Sequence, residues 1–386
     1  MRICMLDPLF HPYHGGTEKV VLEVGRRLVR DHGHEVTVLT SMIPQAKGVR
    51  KENIEGVEVL RTPSIYMEEL PAFLPPPFTF SPLHLADMLR HCRGLDVYHV
   101  HNRFWYSPLT FMAARSVMGG ELYLTIHNSR PRGIDPATDK WGGLFDDIEG
   151  KMIFGMCDRI NCVSRSTMVD TIPREMHDKC RVIYNGVDTA RFRPNIDSEE
   201  VRKKLGVEGR EVILTNGRMV AQKGQADLLK AFALVSKSRK DVSLVMIGRG
   251  PLQNELQHLA HDLGIADQLV MTTNIPEDEL PAHYCAADVF ALPSLFEPSA
   301  VVLYEALACG VPVVATDVGG NPEIVDQGCG IIVPKAAPQA MAAALVEVLS
   351  NDALRRDMAA NSRQRAVDHF DWSHIATAWD QSYRDQ

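Results

Sequence analysis

Short apolar runs alternate with longer amphipathic stretches along almost the whole chain. Residues 2–6 form an apolar run that predicts a strand, residues 18–31 read as a helix, and residues 35–40 return to a strand pattern. Residues 96–101, 122–127, 159–163 and 181–184 continue the series. Such alternation predicts βαβ units and a parallel sheet. It breaks at Asn185-Gly-Val-Asp-Thr-Ala-Arg-Phe-Arg-Pro194, and a charged helix is expected over 198–205. Strand patterns restart at 212–215, 243–247, 269–272, 289–292, 312–315 and 330–333. Two doubly wound α/β sheets, joined near residues 188–208, fit this pattern. A last segment from Phe370 to Tyr383 reads as a short turn and an amphipathic helix.

At 386 residues the chain exceeds one typical core, in keeping with two domains. Hydrophobic content of 45% and charged content of 23% match a soluble globular protein. A net charge of −8 argues against nucleic acid as a partner. The eight cysteines form no Cys-x-x-Cys pair and read as buried thiols of a reducing compartment, so a cytoplasmic location is expected. The first residues enter a strand directly, which reads as no signal peptide, and no run of about 18 apolar residues predicts a membrane span.

Candidate chemistry concentrates between Ser294 and Pro312, where Glu297 and Glu305 stand eight residues apart. Pro298 is the residue type preferred at a first helical position, and Gly310 followed by Pro312 is a stop signal. The acids are then expected two turns apart, roughly 12 Å along the axis. The amides of Ser299, Ala300 and Val301 are expected unpaired at the positive helix end, a ready anion site. Acids flanking an anion site suit a ligand that is anionic in the middle and hydroxyl-rich at both ends, as a nucleotide sugar is. Arg218 and Lys223 follow the strand at 212–215, where a cation pair suits a diphosphate. Gly15 and Gly16 precede the first helix and let backbone approach a phosphate. They do not make a Gly-x-Gly-x-x-Gly dinucleotide fingerprint. His99 and His101 share one strand face, and His127 ends another strand. With no Cys or carboxylate partner nearby, metal binding by the first two is not expected. His101 reads as lining the cleft, His99 as a core histidine.

Together these motifs resemble the retaining glycosyltransferases of family 4, of the GT-B fold. The resemblance covers essentially the whole chain and is weakest over residues 43–95. It implies two Rossmann-like domains facing a central cleft. Residues 1–190 would bind acceptor, with 368–386 crossing back onto them, and residues 191–367 would bind donor. Glu297 would hold the transferred sugar, Glu305 the ribose, and Arg218 and Lys223 the phosphates, without metal. Gly15, Gly16, Ser299, Ala300 and Val301 would complete the donor site, and His127 would position the transferred sugar. Asn185-Gly-Val-Asp188 matches the family's interdomain signature, and Gly319-Gly320-Asn-Pro-Glu323 a turn that buttresses the donor site. Where the family usually reads Pro-aromatic-Gly after the first Glu, this chain reads Pro298-Ser299-Ala300. Asp288 matches a frequent family acid whose plainer reading is structural.

The implied activity is retaining transfer of a hexose from a UDP or GDP sugar to a hydroxyl of a glycan, glycolipid or polyprenyl-linked sugar, with no cofactor. Two alternatives stay open: a nucleotide-sugar epimerase of the same fold, and a non-catalytic nucleotide-sugar-binding subunit. Aromatic and basic residues in 61–82, 103–106 and 130–132 suit contact with a lipid-linked acceptor at the inner membrane face. Their plainer reading is a Pro-rich surface loop packed by its own aromatics.

Overall fold

A computed structural model describes the chain except residues 14, 68–77, 82, 103–112, 114–115, 118, 131–135, 327 and 386. His14 and most of the residues suggested for membrane contact therefore lie outside the described residues. The chain divides into two units: residues 1–185 with 372–386, and residues 186–371.

The first unit carries strands β1 (Arg2–Leu6), β2 (Glu35–Ser41), β3 (Lys51–Ile54), β4 (Val57–Thr62), β5 (Ile65–Met67), β6 (Phe78–Phe80), β7 (Val97–His101), β8 (Glu121–Ile126), β9 (Arg159–Cys162) and β10 (Cys180–Val182). Eight of them form one sheet in the order β10-β9-β8-β7-β1-β2-β4-β3. All pairings in it are parallel except β3 with β4. β7 is buried at every position, as expected where helices cover both faces of a sheet. Alternation sorts β1 between two cores. Ile3 and Met5 pack with the helices Gly16–Arg30 and Trp372–Arg384, while Cys4 and Leu6 pack with Met88, Ile153 and Phe154. The helix at the end of the chain thus belongs to the first unit, where Trp372, Trp379 and Tyr383 are buried.

The second unit carries β11 (Glu211–Asn216), β12 (Val242–Ile247), β13 (Leu269–Thr272), β14 (Val289–Leu292), β15 (Val313–Thr316) and β16 (Gly330–Val333). They form a parallel sheet in the order β13-β12-β11-β14-β15-β16. Helices Gln225–Ser238 and Pro338–Ser350 pack together over one core of this sheet. All eight cysteines are free thiols, six of them buried and Cys180 and Cys285 partly so. Among the described residues no helix is long and apolar enough to cross a membrane.

Candidate active site

In the second unit the chain runs from β11 to β12 on one side, while β14 and β15 lie on the other. Strand order therefore reverses between β11 and β14, and a parallel sheet opens its ligand crevice beyond the carboxyl ends at such a reversal. Arg218 and Lys223 follow β11 and Glu297 follows β14, so the three candidates occupy the two lips of one crevice.

Backbone contacts lock these lips together. Leu295 N donates to Gln222 O at 2.8 Å. Gly224 takes φ +63°, and a Cβ there would stand 2.1 Å from Pro293 O, so no larger residue fits. Lys223 ends the short turn Ala221–Lys223, and its Nζ donates to Glu297 Oε2. Glu297 is 8% exposed and also accepts from Ser294 Oγ at 3.3 Å. Arg218 is exposed and makes no ion pair among the described residues; its carbonyl accepts from Gln225 Nε2 at 2.9 Å.

The expected helix start needs correction. The helix spans Val301–Ala308, with Ala300 as its extended N-cap residue, and Pro298 and Ser299 lie in the preceding loop. Pro298 therefore does not open the helix, because the backbone from 297 to 300 is committed to the turn that meets Gly320 N, a donor to Glu297 O at 3.3 Å. Of the three amides expected at the helix start, only that of Val301 belongs to the helix. Glu305 lies one turn in rather than two. The stop signal holds: Gly310, at φ +69°, donates to Leu307 O.

Glu305 is buried, and its Oε2 accepts from Tyr284 Oη at 2.8 Å. Asn216 Nδ2 donates to the same phenol oxygen at 3.2 Å. This link from the end of β11 to the helix was missed in the sequence, where Tyr284 is one aromatic in the short helix Leu280–Cys285 and carries no positional signal. The glycine-rich turn after β15 does brace the loop that holds Glu297. Thr316 Oγ1 donates to Ser294 O at 2.6 Å, and Asn321 Nδ2 donates to Thr316 O at 3.1 Å. Asp288 is structural, accepting from Val212 N at 2.9 Å and from Arg202 Nη2 at 3.1 Å.

In the first unit, Gly15 caps the helix Gly16–Arg30 in an extended conformation. The Glu18 carboxyl folds back over it, and burial pushes that carboxyl up to about 7. Burial also raises Asp7 at the end of β1. His101 ends β7 and His127 directly follows β8, a neighbouring strand. His101 Nδ1 and His127 Nε2 lie 3.0 Å apart. Burial lowers both rings, His127 to about 3, so both are neutral at pH 7. His99 is a satisfied core histidine: Nδ1 meets Tyr383 Oη at 2.6 Å and Nε2 meets Thr125 Oγ1 at 2.7 Å. Among the described residues no group of three or more His, Cys, Asp or Glu is arranged to hold a metal ion.

Two α/β units, each built on a largely parallel sheet, have the architecture of the GT-B fold. Residues 14–191 match the family model Glycosyltransferase Family 4, and residues 197–365 match Glycosyl transferases group 1. An uncharacterized glycosyltransferase of Methanocaldococcus jannaschii is 30% identical over 97% of this chain and 96% of its own. A GDP-mannose-dependent alpha-(1-6)-phosphatidylinositol monomannoside mannosyltransferase of Mycolicibacterium smegmatis is 37% identical, but the match spans only 48% of this chain and 51% of that relative. Among solved structures, Anabaena HepE in complex with UDP and glucose shares the fold at a TM-score of 0.78, with 21% identity and full coverage of both chains. The chain belongs to glycosyltransferase family 4. It is an enzyme that moves a sugar from a nucleotide donor.

Proposed function

We propose that this enzyme is a retaining, metal-independent hexosyltransferase. Its donor is a UDP or GDP sugar, and its acceptor is a hydroxyl of a glycan, glycolipid or polyprenyl-linked sugar. Residues 186–371 bind the donor, and the other unit binds the acceptor. The observation that carries the reading is the pairing of Lys223 with Glu297 at the sheet reversal. A carboxylate held by a lysine and a serine hydroxyl is tied to binding rather than poised as a nucleophile, which favours a front-face displacement over a covalent intermediate. The bond from the anomeric carbon to the phosphate breaks, the bond to the acceptor oxygen forms on the same face, and the acceptor proton leaves on the diphosphate. Arg218 and Lys223 stabilise the charge that builds there. Glu297 and His127 contact the transferred sugar, and Gly15 and Gly16 approach the phosphates. Peripheral membrane contact belongs to the same proposal if the acceptor is lipid-linked.

The test compares bare UDP and GDP with UDP-glucose and GDP-mannose, the second being the donor named for the M. smegmatis relative. Glu297→Ala should impair binding of one nucleotide sugar while sparing its bare diphosphate, since the substitution releases Lys223. Equal loss of both would sink the division between sugar and phosphate contacts. Turnover should survive a chelator, and donor incubated alone should be recovered unepimerised. Metal-restored activity would remove the electrostatic argument.

Glu305 is assigned to the ribose. A carboxylate on ribose hydroxyls makes charge-assisted bonds worth about 1.5–3 kcal/mol. Glu305→Gln should therefore weaken nucleoside diphosphate binding by roughly ten- to a hundredfold. Unchanged affinity in a calorimetric titration would remove the ribose role.

A further inference from the structure

The pairing of His101 with His127 admits two proton arrangements. In one, His101 Nδ1–H donates to His127 Nε2, and His127 carries its proton on Nδ1. In the other, His127 Nε2–H donates, and His101 must carry its own proton on Nε2. His101 is fully buried, and its Nε2 has no hydrogen-bond partner among the described residues. The second arrangement thus buries an N–H with no acceptor, the orphan that folded proteins most consistently avoid. The first leaves only a lone pair at that spot. A charged ring is no way out, because burial disfavours the imidazolium at both positions.

We propose that His101 is a positioning residue that fixes the tautomer of His127, holding Nε2 as an acceptor and leaving Nδ1–H as the donor the ring offers to a ligand. This rests on the reading of His127 as a contact to the transferred sugar. The matching chemistry is an oxygen lone pair, such as that of a sugar hydroxyl. A ring held this way orients a substrate and does not act as general base, because its basic nitrogen is already engaged.

The surroundings keep His101 itself in place. Its ring lies 4.6 Å from that of His99 and 5.4 Å from that of Trp379, with planes within 23° and 14°. His99 is fixed in turn by Thr125 and Tyr383. Two residues of the helix Trp372–Arg384 therefore support a histidine that follows β8 through two other histidines.

The experiment labels histidine with 15N and reads from long-range 1H–15N correlations which ring nitrogen carries the proton, with the His127 signals assigned by their loss in His127→Ala. In the wild-type protein His127 should be protonated on Nδ1. His101→Asn places an amide N–H near the position of the lost Nδ1–H and should keep that tautomer. His101→Leu should give a mixture, with kcat lower by about 10- to 100-fold, the scale on which partners that orient functional histidines act. KM for the donor should change little, and His101→Asn should recover most of the lost kcat. A wild-type His127 protonated on Nε2 would overturn the proposal, and the wild-type spectrum decides this even if His101→Leu does not fold. So would a His101→Asn enzyme as slow as His101→Leu despite an unchanged His127 tautomer. Full turnover of His127→Ala would instead refute the sugar contact, while the tautomer result stood on its own.

Discussion

Lys223→Ala is expected to lower turnover by about 100- to 1,000-fold while weakening donor binding much less. The lysine meets the diphosphate most strongly as charge builds on it, so its loss falls on the barrier more than on the ground state. It also has a structural duty, because its Nζ holds Glu297, a nearly buried carboxylate. Removing the lysine leaves Glu297 with Ser294 Oγ, 3.3 Å away. Stranding a buried charge costs about 3–5 kcal/mol, but the Lys223 side chain is 20% exposed and water will meet part of that cost. The two duties separate in the double variant Lys223→Ala, Glu297→Gln. It should regain melting temperature relative to Lys223→Ala and regain no turnover. A Lys223→Ala enzyme within tenfold of wild-type kcat would end the case for lysine as the electrostatic catalyst.

Gly319→Ala should be the most damaging single methyl near the site. Gly319 takes φ +52°, and a Cβ there would lie 1.8 Å from Glu297 O and 2.8 Å from its carbonyl carbon. Both obstacles are backbone atoms of the loop that presents Glu297, so relief requires moving that loop. Left-handed backbone alone costs a non-glycine residue about 1–2 kcal/mol, and the clash should bring the loss to about 3 kcal/mol or more. Gly264→Ala is the control, since Gly264 takes φ +69° with nothing within 4 Å of the added carbon. Urea unfolding of both variants isolates the clash, and nucleotide-sugar binding should fall only in Gly319→Ala. Equal stability losses would mean that the turn after β15 does not brace the Glu297 loop.

The sequence was most legible where burial on both faces imposes continuous apolar runs. β1, β7, β8, β11, β12 and β14 to β16 could all be read within a residue or so, because helices covering a parallel sheet leave little freedom in composition. The hairpin of β3 and β4 passed unread. Its signal was present in Asn53-Ile-Glu-Gly56, where Glu55 and Gly56 take φ +50° and +92°, but β3 is a half-exposed edge strand with weak apolar contrast. The acids and cations of the second unit were visible as sequence motifs, because Arg218, Lys223 and Glu297 each follow a strand and Glu305 stands eight residues after Glu297. The phenol of Tyr284 was not, since its importance comes from meeting Glu305 across 21 positions of sequence. The helix start was misplaced because Pro298 obeys the close contact with the Gly319-Gly320 turn rather than the helical preference of proline.

The first unit closes with residues supplied after the second. Trp372, Trp379 and Tyr383 fill a core that β1 and the helix Gly16–Arg30 begin more than 340 positions earlier. During synthesis, residues 186–371 are complete and free to fold before that core can be sealed, reversing the usual order in which the earlier domain finishes first. Until residues 372–384 have left the ribosome, the sheet face under Ile3, Met5 and Tyr123 lacks its aromatic cover. The first unit therefore stays unsealed while the second is already complete, and chaperone demand should last until residues 372–384 have emerged.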